Sequence, residues 1–485
     1  MGALTGLEPE RVFFYFEEIT KIPHGSGNVD AISDYLKAFA TERGLFVLQD
    51  EMKNIIIKKP ASAGYEGQAP MILQGHMDMV AVQEAGRNID MKTQPLEVFA
   101  EGDLIGARGT SLGGDDGIAV AYALALLESD TIPHPPLEVI ITKEEEVGMD
   151  GARAINLSCL EGHRLLNLDS EDEGIFLAGC AGGARVACLV PLGEVPAKGT
   201  LVTFRIGGLL GGHSGSEIDK GRANANILAG RLLYETSKAA PDLGLVSIAG
   251  GMADNAIPQQ TVLSVSVPRE QQAACLEAAK HFAEQVAAEY RTPDPGFVLE
   301  TECGEGAADA GGPAYRAADA ARFLLALPNG IQAMSADVPG LVETSLNLGI
   351  LKLLEDGTLH AEFSVRSSVE SARDALIAKL QAVTELARGR NEITGVYPGW
   401  KYRTDSPLRE KMIRVFERLY GKTPKVEAIH AGLECGLLAG KIPDLDCVSI
   451  GPDMKDIHTA KERLSISSVR RVWEFVLALL AEKDA

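Results

Sequence analysis

Hydrophobic and polar positions alternate along the chain with two distinct periods. Short continuous apolar runs are typical of buried strands, whereas apolar residues that recur every three or four positions are typical of one helix face. In the first third of the chain, helix-like and strand-like segments alternate. They favour helices at 8–21, 30–43 and 116–129 and strands at 46–48, 54–58, 71–80, 137–142 and 165–168. Strands that alternate with helices predict an α/β domain.

Beyond residue 184 the pattern changes to strands that alternate between polar and apolar positions, which indicates a half-exposed sheet. Strands are predicted at 184–190, 200–206, 245–249, 261–267, 297–301, 341–354 and 360–367, helices at 268–290, 314–327 and 372–388, and a Gly/Ala loop at 304–313. The α/β pattern then returns, with helices at 407–420 and 467–483 and strands at 425–428 and 446–450. We therefore predict a discontinuous α/β domain, 1–184 and 396–485, with a mixed sheet flanked by helices. Residues 185–395 would form an inserted α+β domain with two similar halves.

Three of the apolar strands of the α/β domain run directly into polar residues. His76 and Asp78 end the run at 71–80, three glutamates at 144–146 follow the strand 137–142, and Asp169 follows the strand 165–168. Ligands of open α/β sheets bind at the carboxyl ends of the strands. Adjacent carboxylates repel one another unless cations balance them. The repetition predicts a polynuclear metal site, and a solvated acidic loop at 144–146 is the simpler alternative.

The candidate ligands include no thiolate. His76, Asp115, Asp169, His458 and one glutamate of 144–146 offer only nitrogen and oxygen donors. That set suits Zn²⁺, Mn²⁺ or Co²⁺ at a hydrolytic site. Two metals need a bridging carboxylate, and a further carboxylate must stay free of metal to accept a proton from water. Adjacent glutamates can supply one ligand and one base, but their spacing does not decide which is which.

Three carboxylates have roles that the sequence leaves open. Asp78 is well placed to orient the imidazole of His76. Asp115 precedes the helix predicted at 116–129, so a simple N-cap is its structural alternative. Glu434 of the HAGLECG segment is expected near the site, but the sequence assigns it no role.

Composition excludes several other classes of function. The 485-residue chain is 46% hydrophobic and 24% charged, and its net charge of −22 argues against nucleic acid and anionic membranes as partners. It has neither an apolar run long enough to span a membrane nor a signal-peptide pattern at its start. Its seven cysteines are scattered without a CxxC pair, so we expect a reduced, cytoplasmic protein.

Several short motifs together resemble a known enzyme family. They are HMD at 76–78, GGDDG at 113–117, TKEEEVG at 142–148, LDSED at 168–172, GGHSG at 211–215, NAIP at 255–258, HAGLECG at 430–436, and SIGP at 449–452 with a later histidine at 458. This set resembles the aminoacyl-histidine dipeptidases (Xaa-His dipeptidases, carnosinase-like), which belong to a wider clan of dinuclear-zinc peptidases and aminoacylases. The similarity covers nearly the whole chain, and GGHSG with HAGLECG is the most specific part.

The resemblance implies a role for each matching residue. The α/β domain would be catalytic and hold two Zn²⁺ per subunit, with Mn²⁺ or Co²⁺ possible. The inserted domain would serve as a lid and as the surface of a homodimer. Asp115 would bridge the metals, His76 and Asp169 would complete one metal's ligands, and Glu146 and His458 the other's. Glu145 would be the general base and Asp78 would hold His76. His213 would stabilise the oxyanion, and Asn255 and Arg366 would bind the terminal groups of a small peptide.

Two departures from the family pattern bear on the substrate. Asp116 follows the bridging position where the family would have Asn, and the charged segment DMKD precedes His458 where smaller residues are expected. They weaken the expectation of a histidine-containing dipeptide more than that of hydrolysis. The alternatives are an aminoacylase or tripeptidase of the same clan and a non-catalytic metal- or peptide-binding protein. A dinuclear phosphoesterase fits least, since no phosphate-cradling Gly/Lys loop is present.

Overall fold

The computed structural model describes residues 2–307 and 313–484, and these form two compact units. The first unit runs to Gly179 and resumes at Tyr402–Ala428 and from Leu433 onward. The second unit comprises Cys180–Lys401 and Ile429–Gly432. The predicted domain bounds at 184 and 396 lie five and six residues away from these divisions, and the prediction assigned 429–432 to the first domain. Residues 308–312 of the predicted Gly/Ala loop lie outside the described residues.

The helices and strands are numbered here in chain order. The helices are α1 Glu10–Thr20, α2 Asp30–Glu42, α3 Gly114–Glu128, α4 Asp150–Ala154, α5 Ala225–Ala239, α6 Gln272–Glu289, α7 Ala317–Ala326, α8 Glu370–Leu386, α9 Pro407–Tyr420, α10 Glu434–Ala439 and α11 Ile466–Ala481. The strands are β1 Phe46–Gln49, β2 Ile55–Lys59, β3 Met71–His76, β4 Val98–Glu101, β5 Leu104–Ala107, β6 Leu137–Thr142, β7 Arg164–Asn167, β8 Ile175–Cys180, β9 Gly182–Pro191, β10 Glu194–Val195, β11 Thr200–Gly207, β12 Gly212–His213, β13 Gly244–Gly250, β14 Ala256–Ile257, β15 Thr261–Val267, β16 Val298–Ala307, β17 Ala314–Arg316, β18 Gly330–Met334, β19 Val342–Leu353, β20 Thr358–Ser367, β21 Arg390–Tyr397, β22 Lys425–Ile429, β23 Asp446–Ser449, β24 Met454–Lys455 and β25 Arg463–Ser465.

The main sheet of the first unit is mixed, with parallel strands at its centre. Its order is β1-β2-β6-β3-β7-β23-β8-β22, in which β6, β3, β7 and β23 are mutually parallel neighbours. β3 and β6 are buried along their whole length, because helices cover a parallel sheet on both faces. The carboxyl ends of β3, β6 and β7 therefore lie side by side, and each is followed by the His or acidic residues singled out above.

Helix α3 forms the centre of the first unit's core. All its residues from Gly114 to Leu127 are buried, and its composition is apolar all round, which is typical of a helix enclosed by the fold. It packs against α1 and β3. Its first turn lies at the carboxyl ends of the parallel strands. The turn carries Asp115 and Asp116, so the core helix itself delivers these two carboxylates.

The second unit is built on one large antiparallel sheet with its own hydrophobic core. The sheet runs β16-β11-β15-β13-β19-β20-β9-β21, and the first four strands and the last four meet where β13 pairs with β19. Helices α5 to α8 contribute buried residues to the same core. The predicted α+β character of the insert and the α/β character of the first unit are therefore both observed.

Several element predictions need correction. The strand predicted at 71–80 ends at His76, so Asp78 lies beyond it. Helix α5 was not predicted, and neither were β4, β5, β8, β18 and β21. Within the described residues, no helix combines the length and the apolar character that crossing a membrane requires.

Candidate metal centre

One group of candidate ligands lies at the carboxyl ends of β3 and β7. His76 Nε2 is 3.1 Å from Asp115 Oδ1 and 3.5 Å from Asp169 Oδ1. His76 is the last residue of β3, and Asp169 lies two residues beyond β7. These three residues each offer a ligand atom within a space that one metal ion could fill.

A second group shares Asp115 with the first. Asp115 Oδ2 is 3.1 Å from His458 Nε2, which is in turn 3.0 Å from Glu146 Oε2. Asp115 and Asp116 have non-helical backbone angles at the start of α3, and both oxygens of Asp115 face imidazoles, which a simple N-cap would not explain. His458 has a left-handed backbone with φ of 60°, a conformation that non-glycine residues adopt mainly where a site demands it. One carboxylate thus presents one oxygen to each group.

Several ionisable side chains of the centre lie close together, and most of them are buried. Burial and the neighbouring acids raise the pKa of Asp169 to about 7, and hydrogen bonding to Asp115 and Glu146 raises the pKa of His458 to about 10. Glu146 Oε1 is buried and has no hydrogen-bond partner among the described residues. The donor atoms are nitrogen and carboxylate oxygen only. The cluster therefore fits divalent cations such as Zn²⁺ or Mn²⁺, which would balance the negative charge and occupy the free oxygen.

Asp78 connects two of the candidate residues. Its Oδ1 is 3.5 Å from His76 Nδ1 and accepts a hydrogen bond from the backbone N–H of Glu145 at 3.1 Å. His76 Nδ1 also lies 2.9 Å from the Asp78 carbonyl oxygen, and Ser26 donates its hydroxyl to Asp78 Oδ2. With Nδ1 engaged in this way, Nε2 of His76 is the nitrogen that is free to bind a metal.

Glu145 is the acid of the 144–146 run whose side chain belongs to neither ligand group and makes no hydrogen bond within the described residues. Glu144 accepts the backbone N–H of Gly27, and Glu146 belongs to the second ligand group. Burial, together with the neighbouring acids Asp169 and Glu434, raises the pKa of Glu145 well above its ordinary value. A carboxylate with a raised pKa beside a metal centre can hold a proton during a reaction.

Glu462, which the sequence analysis missed, holds the turn that carries Asp115. Its Oε2 accepts the backbone N–H groups of Leu112 and Gly113 at 2.7 and 3.0 Å, and its Oε1 accepts those of Gly114 and Asp115 at 2.8 and 3.2 Å. The glutamate is 2% exposed. It lies four residues after His458 in a loop, and no local sequence pattern signals this contact.

Asp116 lies directly beneath His76 and is fully buried. Its Oδ2 accepts the backbone N–H of His76 at 3.1 Å, and its Oδ1 has no partner among the described residues. A Cβ at Gly75 would lie 2.5 Å from Asp116 Oδ2, so only glycine leaves room for this carboxylate. Burial and the charge of Asp169 raise the pKa of Asp116 well above its ordinary value. The departure from Asn at this position therefore affects the support of His76.

In the second unit, His213 and Arg366 form a separate pair of donors. The N–H groups of Gly215 and Ser216 donate to His213 Nδ1, so the neutral ring carries its proton on Nε2. That nitrogen is 3.5 Å from Arg366 Nη2. Arg366 is 7% exposed, its Nη1 donates to the Tyr397 hydroxyl at 3.4 Å, and its Nε has no partner among the described residues. Two donors that face each other at this distance suit an anion between them.

Asn255 joins this pair only through its backbone. Its carbonyl oxygen accepts the N–H of Ser214 at 2.8 Å, next to His213, and its side chain is exposed. Gly215 also belongs to this turn, because a Cβ there would lie 3.0 Å from the His213 ring. The two motifs GGHSG and NAIP thus meet, as β12 pairs with β14.

Comparison with protein-family models matches residues 72–482 to the model described as peptidase family M20/M25/M40. Among curated proteins, the cytosol non-specific dipeptidase of Escherichia coli (strain K12) is 35% identical over 488 residues, which is 100% of both chains.

Solved structures give the same picture. The aminoacylhistidine dipeptidase of Vibrio alginolyticus is similar with a TM-score of 0.89 and 36% identity, over 99% of each chain. The aminopeptidase PepT of Bacillus cereus ATCC 10987 has a TM-score of 0.55 and 18% identity over 98% of each chain, which shows a shared fold.

Proposed function

Because the chain belongs to peptidase family M20/M25/M40 and is a peptide-bond hydrolase, we propose that it is a dinuclear metal-dependent dipeptidase. Its substrates are dipeptides, with Xaa-His dipeptides among them. The names of the two relatives above, one non-specific and one specific for aminoacyl-histidine, support this substrate class. The observation that carries the proposal is the sharing of Asp115 between two groups of metal-capable side chains.

The proposed ligands are His76, Asp115 and Asp169 for one cation and Asp115, Glu146 and His458 for the other. Two Zn²⁺ ions are the first choice, with Mn²⁺ or Co²⁺ as alternatives. When bound, the cations supply Lewis-acid polarisation of the peptide carbonyl and acidify the attacking water. The nitrogen and oxygen donors and the unpartnered Glu146 Oε1 support this assignment.

The chain's own residues then carry the proton. Glu145 is the proposed general base, because its carboxylate, unlike those of Glu144 and Glu146, has no hydrogen-bond or ligand contact within the described residues. Its carboxylate takes a proton from the attacking water and gives it to the nitrogen of the leaving amine. Asp78 holds His76 through Nδ1 and the Glu145 backbone through its N–H, so one carboxylate orients both a ligand and the base.

His213, Arg366 and Asn255 are the proposed substrate-binding residues of the second unit. A guanidinium suits a carboxylate with two parallel hydrogen bonds, so Arg366 is assigned to the C-terminal carboxylate of the peptide. The proton on His213 Nε2 makes this side chain a donor for an oxyanion. The exposed side chain of Asn255 is assigned to a terminal group of the peptide.

A homodimer formed through the inserted unit and a cytoplasmic location are also part of the proposal. The first rests on the motif resemblance. The second is supported by the cytosolic name of the Escherichia coli relative and by the free state of the seven cysteines, all in the described residues.

The test is a substrate panel run on metal-free protein with Zn²⁺, Mn²⁺ and Co²⁺ added in turn. The panel holds Xaa-His dipeptides, other dipeptides, tripeptides and N-acyl amino acids. Metal-dependent cleavage of dipeptides in preference to the last two classes is the expected result. Glu145→Gln is expected to lose about 100- to 10,000-fold in kcat while binding the same amount of metal. Turnover confined to tripeptides or acyl amino acids would refute the dipeptidase proposal, and wild-type turnover by Glu145→Gln would refute the base.

A further inference from the structure

A chain of buried polar side chains crosses the parallel strands just below the metal centre. The central residues of β6, β3, β7 and β23 are mostly apolar, yet each strand carries a buried uncharged polar side chain near its carboxyl end. These are Thr142, Gln74, Asn167 and Ser449, and all are at most 1% exposed. Gln74 is paired with Asn167 and Asn167 with Ser449 in the registers of neighbouring strands.

Hydrogen bonds link these side chains into one continuous network. Asn167 Nδ2 donates to Gln74 Oε1 at 2.5 Å, and the Ser449 hydroxyl donates to Asn167 Oδ1. The network ends at Glu434, whose Oε2 accepts Gln74 Nε2 at 2.6 Å and the Thr142 hydroxyl at 2.5 Å. Polar groups buried at this depth hold a single arrangement, since any other arrangement leaves some of them without partners.

Three of the four strands of the network lead directly to a residue of the candidate centre. Gln74 lies two residues before His76, and Thr142 lies three residues before Glu145. Asn167 lies two residues before Asp169 and accepts its backbone N–H at 3.3 Å. The network therefore lies two or three residues before the ligands and the base along these strands, where it can fix the distances between them.

Glu434 is the member that comes from outside the sheet. It is the first residue of α10 and is fully buried. Both of its hydrogen bonds end on the same oxygen, Oε2, and Oε1 has no partner among the described residues. An amide in place of the carboxylate could keep both bonds through its carbonyl oxygen.

We propose that Glu434 is a positioning residue that ties the ends of β3 and β6 together and so fixes His76 relative to Glu145. The part of this inference that concerns turnover rests on the proposed function, whereas the part that concerns metal affinity does not. Its action is geometric, through the two bonds to Oε2.

The experiment compares Glu434→Gln with Glu434→Met. Metal-free protein competes with a chromophoric chelator for Zn²⁺, and kcat and KM are then measured on a dipeptide. Glu434→Gln keeps an acceptor for Gln74 and Thr142, so its Zn²⁺ affinity and kcat should stay within about 3-fold of wild type. Glu434→Met removes the acceptor that Gln74 and Thr142 share and leaves them only longer contacts, Gln74 Nε2 to Thr142 Oγ1 at 3.4 Å and Thr142 Oγ1 to the Gly75 carbonyl at 3.3 Å. Its Zn²⁺ affinity and kcat should each fall about 10- to 100-fold, the usual effect of losing a residue that orients metal ligands, with KM little changed.

Glu138→Met is the matched control. Glu138 is a buried glutamate of the same strand β6, but it lies near the opposite end and binds the backbone of Glu161 and Gly162. Its loss should lower the unfolding temperature and leave Zn²⁺ affinity within about 3-fold, which separates positioning from general stability. If Glu434→Met does not fold, Thr142→Val removes one of the two bonds at nearly constant volume and should lower Zn²⁺ affinity about 3- to 10-fold.

Three results would overturn the inference. Wild-type Zn²⁺ affinity in Glu434→Met, or in Thr142→Val where that variant replaces it, would show that the network does not set the centre. A loss in Glu434→Gln as large as in Glu434→Met would assign the effect to charge and not to geometry. An equal loss of affinity in Glu138→Met would make the role merely structural. If wild type binds Zn²⁺ but cleaves no dipeptide, the proposed function fails, while the affinity comparison still decides the role of Glu434.

Discussion

Replacing Glu462 with Gln should uncouple the Asp115 turn from the rest of the first unit. The carboxylate accepts four consecutive backbone N–H groups, two on each oxygen. A glutamine offers one carbonyl oxygen, so two N–H groups would keep an acceptor and two would face an NH₂ group. Because these donors are buried, water cannot easily take the place of the lost oxygen.

The magnitude follows from the two bonds that are lost. Hydrogen bonds to a charged group contribute about 1.5–3 kcal/mol each, so the loss lies at about 3–6 kcal/mol. Burial raises the pKa of Glu462 in spite of its backbone hydrogen bonds. Part of their energy therefore offsets the cost of burying the charge, which glutamine does not carry. We expect a net loss near the lower limit, about 3 kcal/mol in the free energy of unfolding of the first unit.

The assay must report on the first unit alone. The two tryptophans of the chain fall one in each unit, Trp473 in the first and Trp400 in the second. In a Trp400→Phe background, fluorescence of Trp473 during urea unfolding of metal-free protein therefore follows the first unit. Zn²⁺ affinity is measured on the same samples and should fall about 10- to 100-fold, because Asp115 loses its support.

Glu474→Gln is the control for this experiment. Glu474 is an exposed residue of α11 that pairs with Arg470, so its loss should change stability by less than about 1 kcal/mol. If Glu462→Gln unfolds like this control and binds Zn²⁺ like wild type, then the four hydrogen bonds do not position the turn and the reasoning is wrong.

Three further predictions concern the centre and the anion pair. Asp78→Ala should lower Zn²⁺ affinity about 10- to 100-fold, since His76 loses the carboxylate that orients it, and chelator competition measures this. His458→Ala should bind one cation per chain where wild type binds two, because the group of His76 stays whole. Elemental analysis after dialysis checks it, and two retained cations would contradict the ligand assignment. Arg366→Lys should raise KM for a dipeptide about 10-fold or more but leave KM for the matching dipeptide amide unchanged, since lysine cannot bind a carboxylate with two parallel bonds. An equal rise for both substrates would place the carboxylate elsewhere.

The family, the fold class and the hydrolytic activity predicted from the sequence are confirmed by the comparisons. The fold could be predicted because buried parallel strands are continuous apolar runs, and the residues after β3, β6 and β7 interrupt those runs abruptly. Parallel pairing then brings the three ends together without further information. The individual roles of Glu145 and Glu146 stay predictions.

The missed elements fall into two kinds. The apolar residues of α5 recur at four-residue spacing, Leu228 with Leu232 and Ala229 with Leu233, so its sequence contained a helical signal that was overlooked. Strands β4 and β21 contain no fully buried residue, so their positions depend on pairing with other strands. Local periodicity does not reveal such strands.

The roles of the supporting residues Glu462 and Glu434 could not be predicted from the sequence, because their contacts join distant parts of the chain. Glu462 binds Leu112 across 350 positions, and Glu434 binds Gln74 across 360. No local pattern contains a contact of that length. A polar residue inside an otherwise apolar strand, such as Gln74 or Asn167, is a visible anomaly, but its partner becomes known only from the fold.

The first unit is completed by residues that follow the inserted unit in the chain. The strand β23 lies between β7 and β8 in the sheet, and His458 and Glu462 come after it in the sequence. A nascent chain that stops before residue 458 holds His76, Asp115, Glu146 and Asp169 but has no second imidazole. A chain cut between the inserted unit and residue 458 should therefore be inactive, however well the inserted unit folds.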